Sequence, residues 1–148
     1  MRKPRRILVA IKTPGSRAQP ALRKAAQLAL ALRAQVEIFH AISEPVYLDA
    51  FLLEGMTLEQ TQKQWRDRLV KKLQKHADGL RAEGLEVDVA CEWDFPAYEA
   101  IIRRAARTDA DLIVAERHAT RHVLPWLLRS LPRLPQPVAQ ALKKKIAP

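Results

Sequence analysis

The feature that most constrains the fold is a short apolar run near the beginning of the chain, Ile7–Ile11, which basic residues precede and the turn pair Pro14-Gly15 follows. Its length, its β-branched residues and its turn residues predict a strand from about Arg6 to Lys12 that is buried on both faces. The Ala/Leu-rich segment Pro20–Leu32 then predicts a crossover helix. A buried strand followed by a helix is typical of a parallel α/β sheet, in which ligands bind beyond the carboxyl ends of the strands. We therefore expect function first at Lys12–Ser16.

Further apolar patterns continue the alternation of strands and helices. They predict strands at Gln35–Ile42, Glu86–Trp93 and Leu112–Ala115, a long helix from Leu58 to about Ala82, a helix that begins near Pro96, a last helix at Val123–Leu131 and a fifth strand at Val138–Leu142. The apolar segment Val46–Gly55 has two interpretations, a lid packed on the domain or a patch that covers a ligand or a partner.

The same patterns predict which side chains are buried. Helical spacing places Trp65, Leu69, Val70, Leu73, His76, Ala77 and Leu80 on the buried side of the long helix, and Tyr98, Ile101, Ile102 and Ala105 on that of the next one. The Leu112–Ala115 strand is expected to be buried on both faces. His40 is interpreted as a packed or hydrogen-bonded strand histidine, and Cys91 as a small buried hydrophobe.

Composition limits the class of protein. The 148 residues, 48% of them apolar, suffice for one domain with a real core, so we expect a single domain over residues 1–148. No apolar run approaches the roughly 20 residues that span a bilayer, so we expect no membrane span. The basic start lacks a cleavage site, so we expect no signal peptide. The single cysteine, Cys91, excludes an internal disulfide and favours a reducing, cytoplasmic location.

The charge is strongly positive and unevenly spread. The net charge is +10, and no acidic residue occurs before Glu37 or after Glu116. The basic ends either are simply solvated or form a surface that attracts nucleotides, nucleic acid or an acidic partner. Nucleic acid is not favoured as a partner of these ends, because they contain neither interleaved aromatic residues nor a known reading motif.

The order of these pieces is familiar. The strand Ile7–Ile11, the segment Pro96-x-x-Glu99-Ala100-Ile101-Ile102 and the segment Ala110–Val114 follow one another as in the universal stress protein family, which the chain resembles over nearly its whole length. The stretches Trp93–Ile102 and Trp126–Arg129 are most similar to the first module of tandem-domain members. The resemblance implies an α/β fold: an open, doubly wound, parallel five-stranded sheet of order 3-2-1-4-5 with helices on both faces.

The resemblance also implies where nucleotides would bind. Members of the nucleotide-binding branch have an acidic residue at the end of strand one and a glycine-spaced phosphate loop after strand four. Here Lys12 stands in place of the acid, and no glycine follows Gly84. Because bulky side chains would crowd a phosphate that needs bare backbone, we predict that the chain does not bind ATP in the family's manner and holds no cofactor.

The proposed fold brings the exits of strands one and four together in a cationic crevice. Its candidate ligand-binding residues are Lys12, Thr13, Ser16, Arg117, His118 and Arg121. His118 and His122 have the spacing of zinc ligands on a helix, but no third ligand is near, so we interpret them as a surface pair and predict no metal site. No catalytic motif is present, and we expect no enzyme.

Three functions remain as hypotheses. The first is a non-enzymatic stress-response protein that acts through protein contacts, as a homodimer or beside another copy of the fold. The second is a binder of an anionic small ligand or nucleotide, or a residual nucleotide hydrolase, that uses the crevice at Lys12 and Arg117. The third is nucleic-acid binding through the basic ends.

Overall fold

The computed structural model describes residues 5–43 and 55–116. In chain order the elements are β1 (Arg6–Ala10), α1 (Pro20–Leu32), β2 (Gln35–Ile42), α2 (Leu58–Ala82), β3 (Val87–Trp93), α3 (Ala97–Arg107) and β4 (Leu112–Ala115). Within these two ranges, none of the helices combines the length and the apolar character that crossing a bilayer requires. The predicted lid, the last helix and the fifth strand lie outside the described residues, apart from Gly55 at the end of the lid segment.

The sheet is parallel throughout, and its described strands have the order β3-β2-β1-β4. This order agrees with the first four positions of the predicted sheet. In register, Leu8 of β1 lies between Glu37 of β2 and Ile113 of β4. Because successive strand residues point to opposite faces, Leu8 and Glu37 face one layer, while Val9 and Ile38 face the other.

Helices cover both faces of the sheet. On one face, α1 and α2 pack on a large apolar core that includes Ile7, Val9, Ile38 and Leu73. On the other face, α3 packs on a smaller core centred on Phe39. β2 has buried apolar side chains on both of its faces, with Ile38 on one and Phe39 on the other. Such a strand is stable only between two helical layers.

The bounds of α2 follow from its sequence. Thr57 caps its amino end: its Oγ1 accepts a hydrogen bond from the Gln60 N–H, and the Gln60 side chain accepts one from the Thr57 N–H. This reciprocal pair is the capping box that a Thr followed three residues later by Gln predicts. At the carboxyl end, Gly84 has a φ of +91°, a left-handed conformation that glycine adopts without strain.

Four predictions of this layout are wrong. β1 ends at Ala10 rather than Lys12, although the Ile11 N–H still donates to the Phe39 carbonyl at 2.8 Å. Trp65 is exposed rather than part of the buried side of α2. Tyr98 and Ile102, predicted to be buried on α3, are exposed as well. In β4, which was predicted to be buried on both faces, Ile113 is exposed. Helical and strand periodicity identify the apolar side of an element but not how much of it the neighbouring elements cover.

Candidate functional site

The loop between β1 and α1 contains three of the six predicted ligand-binding residues. Lys12 and Thr13 are exposed there, and Ser16 is half-buried. The loop lies at the carboxyl edge of the parallel sheet, the edge at which ligands bind in this class of fold. The other three predicted residues, Arg117, His118 and Arg121, lie outside the described residues, so the crevice as a whole stays a prediction.

The protein's own side chains bond to the carbonyl groups of this loop. The Ser16 N–H donates to the Thr13 carbonyl at 3.1 Å and closes a tight turn. The buried Gln19 amide then donates to the Thr13 carbonyl at 2.8 Å and to the Ser16 carbonyl at 3.1 Å. Since the Gln19 side chain turns back into the loop, it does not cap α1. The turn is therefore fixed from within the protein.

Two side chains from α2 extend this site, and neither was predicted from the sequence as part of it. His76 Nε2 lies 3.1 Å from the Pro14 carbonyl. Lys72 reaches Gly15, where a Cβ atom would lie 3.6 Å from the lysine Nζ. The Lys72 ammonium therefore adds a second positive charge to the loop that contains Lys12. The spacing of four between Lys72 and His76, which puts both on one side of a helix, was the available signal.

His40 fixes the backbone at the end of β1. Its Nδ1 lies 2.6 Å from the Ile11 carbonyl, and the ring is 9% exposed. A carbonyl oxygen only accepts, so Nδ1 carries the proton in this hydrogen bond. The prediction of a packed, hydrogen-bonded strand histidine is confirmed, and His40 has a structural role next to the candidate site.

A buried ionic cluster lies on the face of the sheet that α3 covers. The Glu37 side chain is 0% exposed and accepts hydrogen bonds from Arg6 Nη2 at 2.6 Å and from Arg104 Nε at 2.5 Å. Burial acts to raise the pKa of Glu37, but the hydrogen bonds from the two arginines outweigh it, so the pKa is lowered from its ordinary value. Glu37 is therefore a buried structural group that is ionised at neutral pH.

The cluster continues to the surface through Glu92. This carboxylate accepts hydrogen bonds from Arg104 Nη1 at 2.8 Å and from Arg107 Nη2 at 2.5 Å. The Arg104 guanidinium also lies 6.0 Å from the centre of the Phe39 ring, at the limit of a cation–π contact. These bonds attach α3 to β2 and β3 and leave no free acid or base for proton transfer in the cluster.

Cys91 is packed against the larger apolar core. Burial raises the pKa of its thiol to about 12, and the positive charge of Arg66 only partly opposes this rise. The thiolate is therefore scarce at neutral pH, in agreement with the interpretation of Cys91 as a small hydrophobe. The described part of the chain also brings no three His, Cys, Asp or Glu side chains together in a way that could hold a metal ion.

A concave surface lies at the opposite, amino edge of the sheet. It is a groove of about 600 Å³ whose lining includes Leu30, Leu85, Arg5 and Arg33. Of the predicted site residues that the structure describes, none lines this groove, and Glu86 in its lining is already hydrogen-bonded to Gln35.

Comparisons with known proteins agree with this geometry. The sheet order, with helices on both faces, defines a doubly wound, parallel α/β protein. A model of the universal stress protein family matches residues 3–133, and the chain belongs to this family. No curated protein sequence matches the chain.

Solved structures with the same fold have low sequence identity to the chain. A universal stress protein family member from Burkholderia pseudomallei is 22% identical, with a TM-score of 0.59 over 84% of this chain and 89% of that one. A universal stress protein solved in complex with cAMP is 20% identical, with a TM-score of 0.55 over 81% and 84% of the two chains. A protein from Mycobacterium tuberculosis is 21% identical, with a TM-score of 0.51 over 78% and 72%.

Proposed function

We propose that the chain is a non-enzymatic stress-response protein that acts through protein contacts, pairing with a second copy of itself or of its fold. One observation supports this function above the others. Phe95, Tyr98 and Ile102 are 76%, 66% and 60% exposed, and two of them lie one turn apart on α3. Large apolar side chains grouped on a surface mark sites of protein contact.

The oligomeric state tests this proposal. We expect the wild-type protein to form dimers in size-exclusion chromatography with light scattering, and Tyr98→Ser/Ile102→Ser to elute as a monomer. Leu30→Ser, which changes a large apolar side chain on α1 that is 50% exposed, is the control and should remain dimeric. A wild-type protein that stays monomeric at high concentration would contradict the proposal.

The proposal includes the absence of ATP binding in the manner of the nucleotide-binding branch. Lys12 follows β1 where that branch has an acid, and the Ser16 N–H in this loop, a donor that a phosphate would need, already donates to the Thr13 carbonyl. Differential scanning fluorimetry with ATP, ADP, AMP and cAMP measures whether a nucleotide stabilises the protein. We include cAMP because a universal stress protein of the same fold was solved in complex with it. A rise in melting temperature of several degrees with ATP would sink the claim.

An anionic small ligand at the β1–α1 loop is the second candidate. The observation that favours it is the approach of the Lys72 ammonium to Gly15, in the loop whose first residues include the exposed Lys12. Isothermal titration with inorganic phosphate and AMP should show binding that Lys72→Gln weakens about tenfold, the effect of losing one charge-assisted bond. The control Lys24→Gln removes an exposed charge from α1 and should bind as the wild type does.

A further inference from the structure

Four exposed positive side chains form a continuous strip along α2, which we call the cationic face: Arg68, Lys71, Lys72 and Lys75. Lys72, which also reaches Gly15, lies at the edge of this strip nearest the β1–α1 loop. The spacing of three and four residues within the strip places neighbouring charges about 5–6 Å apart on one side of the helix. Together they cover about 10 Å along the helix axis.

The cationic face has no carboxylate partners among residues 5–43 and 55–116. The ion pairs in that part of the chain involve five arginines, and on α2 the only one joins Arg81 to Asp78. Asp67 lies four residues before Lys71 but is not paired with it. The four charges are therefore available to an anion from outside the described residues.

An exposed aromatic ring continues this strip. Trp65 lies three residues before Arg68 and seven before Lys72, so helical geometry puts it in the same row as these two side chains. Its side chain is 39% exposed, and Trp65 is absent from both apolar cores. A tryptophan face next to a row of cations offers stacking to a base and charge neutralisation to the phosphates that follow it.

We propose that the cationic face and Trp65 bind single-stranded nucleic acid. The row of charges matches a ligand that repeats its negative charge along a chain, and the ring favours a strand with unpaired bases over an acidic polypeptide, which presents no base to stack. This site is separate from the basic ends of the chain, whose lack of aromatic residues argued against nucleic acid. It is also independent of pairing through α3, so either proposal can fail alone.

Binding of a short fluorescein-labelled oligothymidylate, followed by anisotropy as potassium chloride is raised, tests the charged part. Four neutralised phosphates predict a slope of log K against log salt of about −3 for a single strand. Arg68→Gln/Lys75→Gln removes two charges and should reduce the slope by about 1.4. Glutamine has nearly the helix propensity of the residues it replaces, so the helix is preserved.

The matched control is Arg5→Gln/Arg33→Gln, which lowers the net charge equally at the amino edge of the sheet. This control should keep the wild-type slope and affinity. An equal loss in both double variants would show attraction by net charge alone and would overturn the proposal, and so would absence of binding at low salt. Circular dichroism and thermal unfolding confirm that each variant is folded.

Trp65 provides the test that separates nucleic acid from other polyanions. Trp65→Leu should weaken oligothymidylate binding about tenfold at an unchanged salt slope, because it removes stacking and no charge. Trp65→Phe retains a ring and should recover most of the affinity. If Trp65→Leu binds as the wild type does, or if polyglutamate displaces the oligonucleotide at equal charge concentration, the partner is an acidic polypeptide or any polyanion, and the proposal is wrong.

Discussion

Helices α2 and α3 both contain many positive residues, but they use them in opposite ways. On α3, all three arginines are paired: Arg103 with Asp94 and Glu99, Arg104 with Glu37 and Glu92, and Arg107 with Glu92. On α2, the cationic face has no carboxylate partner among the described residues, and its members neighbour one another. The positive charges of α3 are bonded to carboxylates within the protein, whereas those of the cationic face on α2 are available to bind an anion.

The energetic consequences differ in sign. Like charges three or four residues apart on a helix are destabilising by about 0.2–0.5 kcal/mol per pair, and the cationic face contains four such neighbours. Removal of one partner from a buried ion pair costs about 3–5 kcal/mol, because it leaves a buried charge uncompensated. The charges of α3 thus stabilise the protein, while those of α2 weaken it slightly until an anion binds.

The largest effect is expected at Glu37. Glu37→Gln should lower the free energy of unfolding by about 3 kcal/mol, the lower end for a buried pair, because Arg6 and Arg104 keep other partners and some exposure to water. Urea denaturation measures this change. Glu92→Gln, at the more exposed end of the cluster, is the control and should lose about 1 kcal/mol. Equal losses in the two variants would mean that burial does not distinguish the two carboxylates.

The pH dependence of stability should show the same asymmetry. The pKa of Glu37 in the folded protein is lowered below its ordinary value of 4.5, since the hydrogen bonds of Arg6 and Arg104 outweigh the opposing effect of burial. Its contribution is therefore complete above that pH and is lost as the pH falls toward the folded-state pKa. Thermal unfolding from pH 7 downward should show the stabilities of the wild type and Glu37→Gln converging as the pH falls below 4.5 toward the folded-state pKa of Glu37. A constant difference would contradict the assignment.

Much of the fold could be predicted from the sequence, because its signals are local. The apolar run Ile7–Ile11 predicted a buried strand, and Thr57 with Gln60 predicted the beginning of α2. In both cases neighbouring residues determine the outcome. The strand order, by contrast, was predicted from the family resemblance, because local signals do not specify which strands pair.

The ionic cluster and the additions to the candidate site could not be predicted in this way. Arg6 and Arg104 lie 31 and 67 positions from Glu37, and His76 lies 62 positions from Pro14. Periodicity treats Glu37 as a polar residue in an apolar strand and contains no information on distant partners. The exposure of Trp65 was missed for a related reason, since the packing of α2 on its neighbours determines how much of its apolar side is covered.

The smallest effect is expected from relieving the repulsion on α2. Lys71→Gln/Lys75→Gln removes three like-charge pairs, two at a spacing of three and one at a spacing of four. At about 0.2–0.5 kcal/mol per pair, the free energy of unfolding should rise by about 0.6–1.5 kcal/mol at low salt. The gain should fade as salt is added, because these charges are exposed and screened. Lys24 on α1 has no positive neighbour at a spacing of three or four, so Lys24→Gln should raise the free energy of unfolding by less. A loss of stability in the double variant would show that the two lysines have carboxylate partners and would remove the contrast with α3.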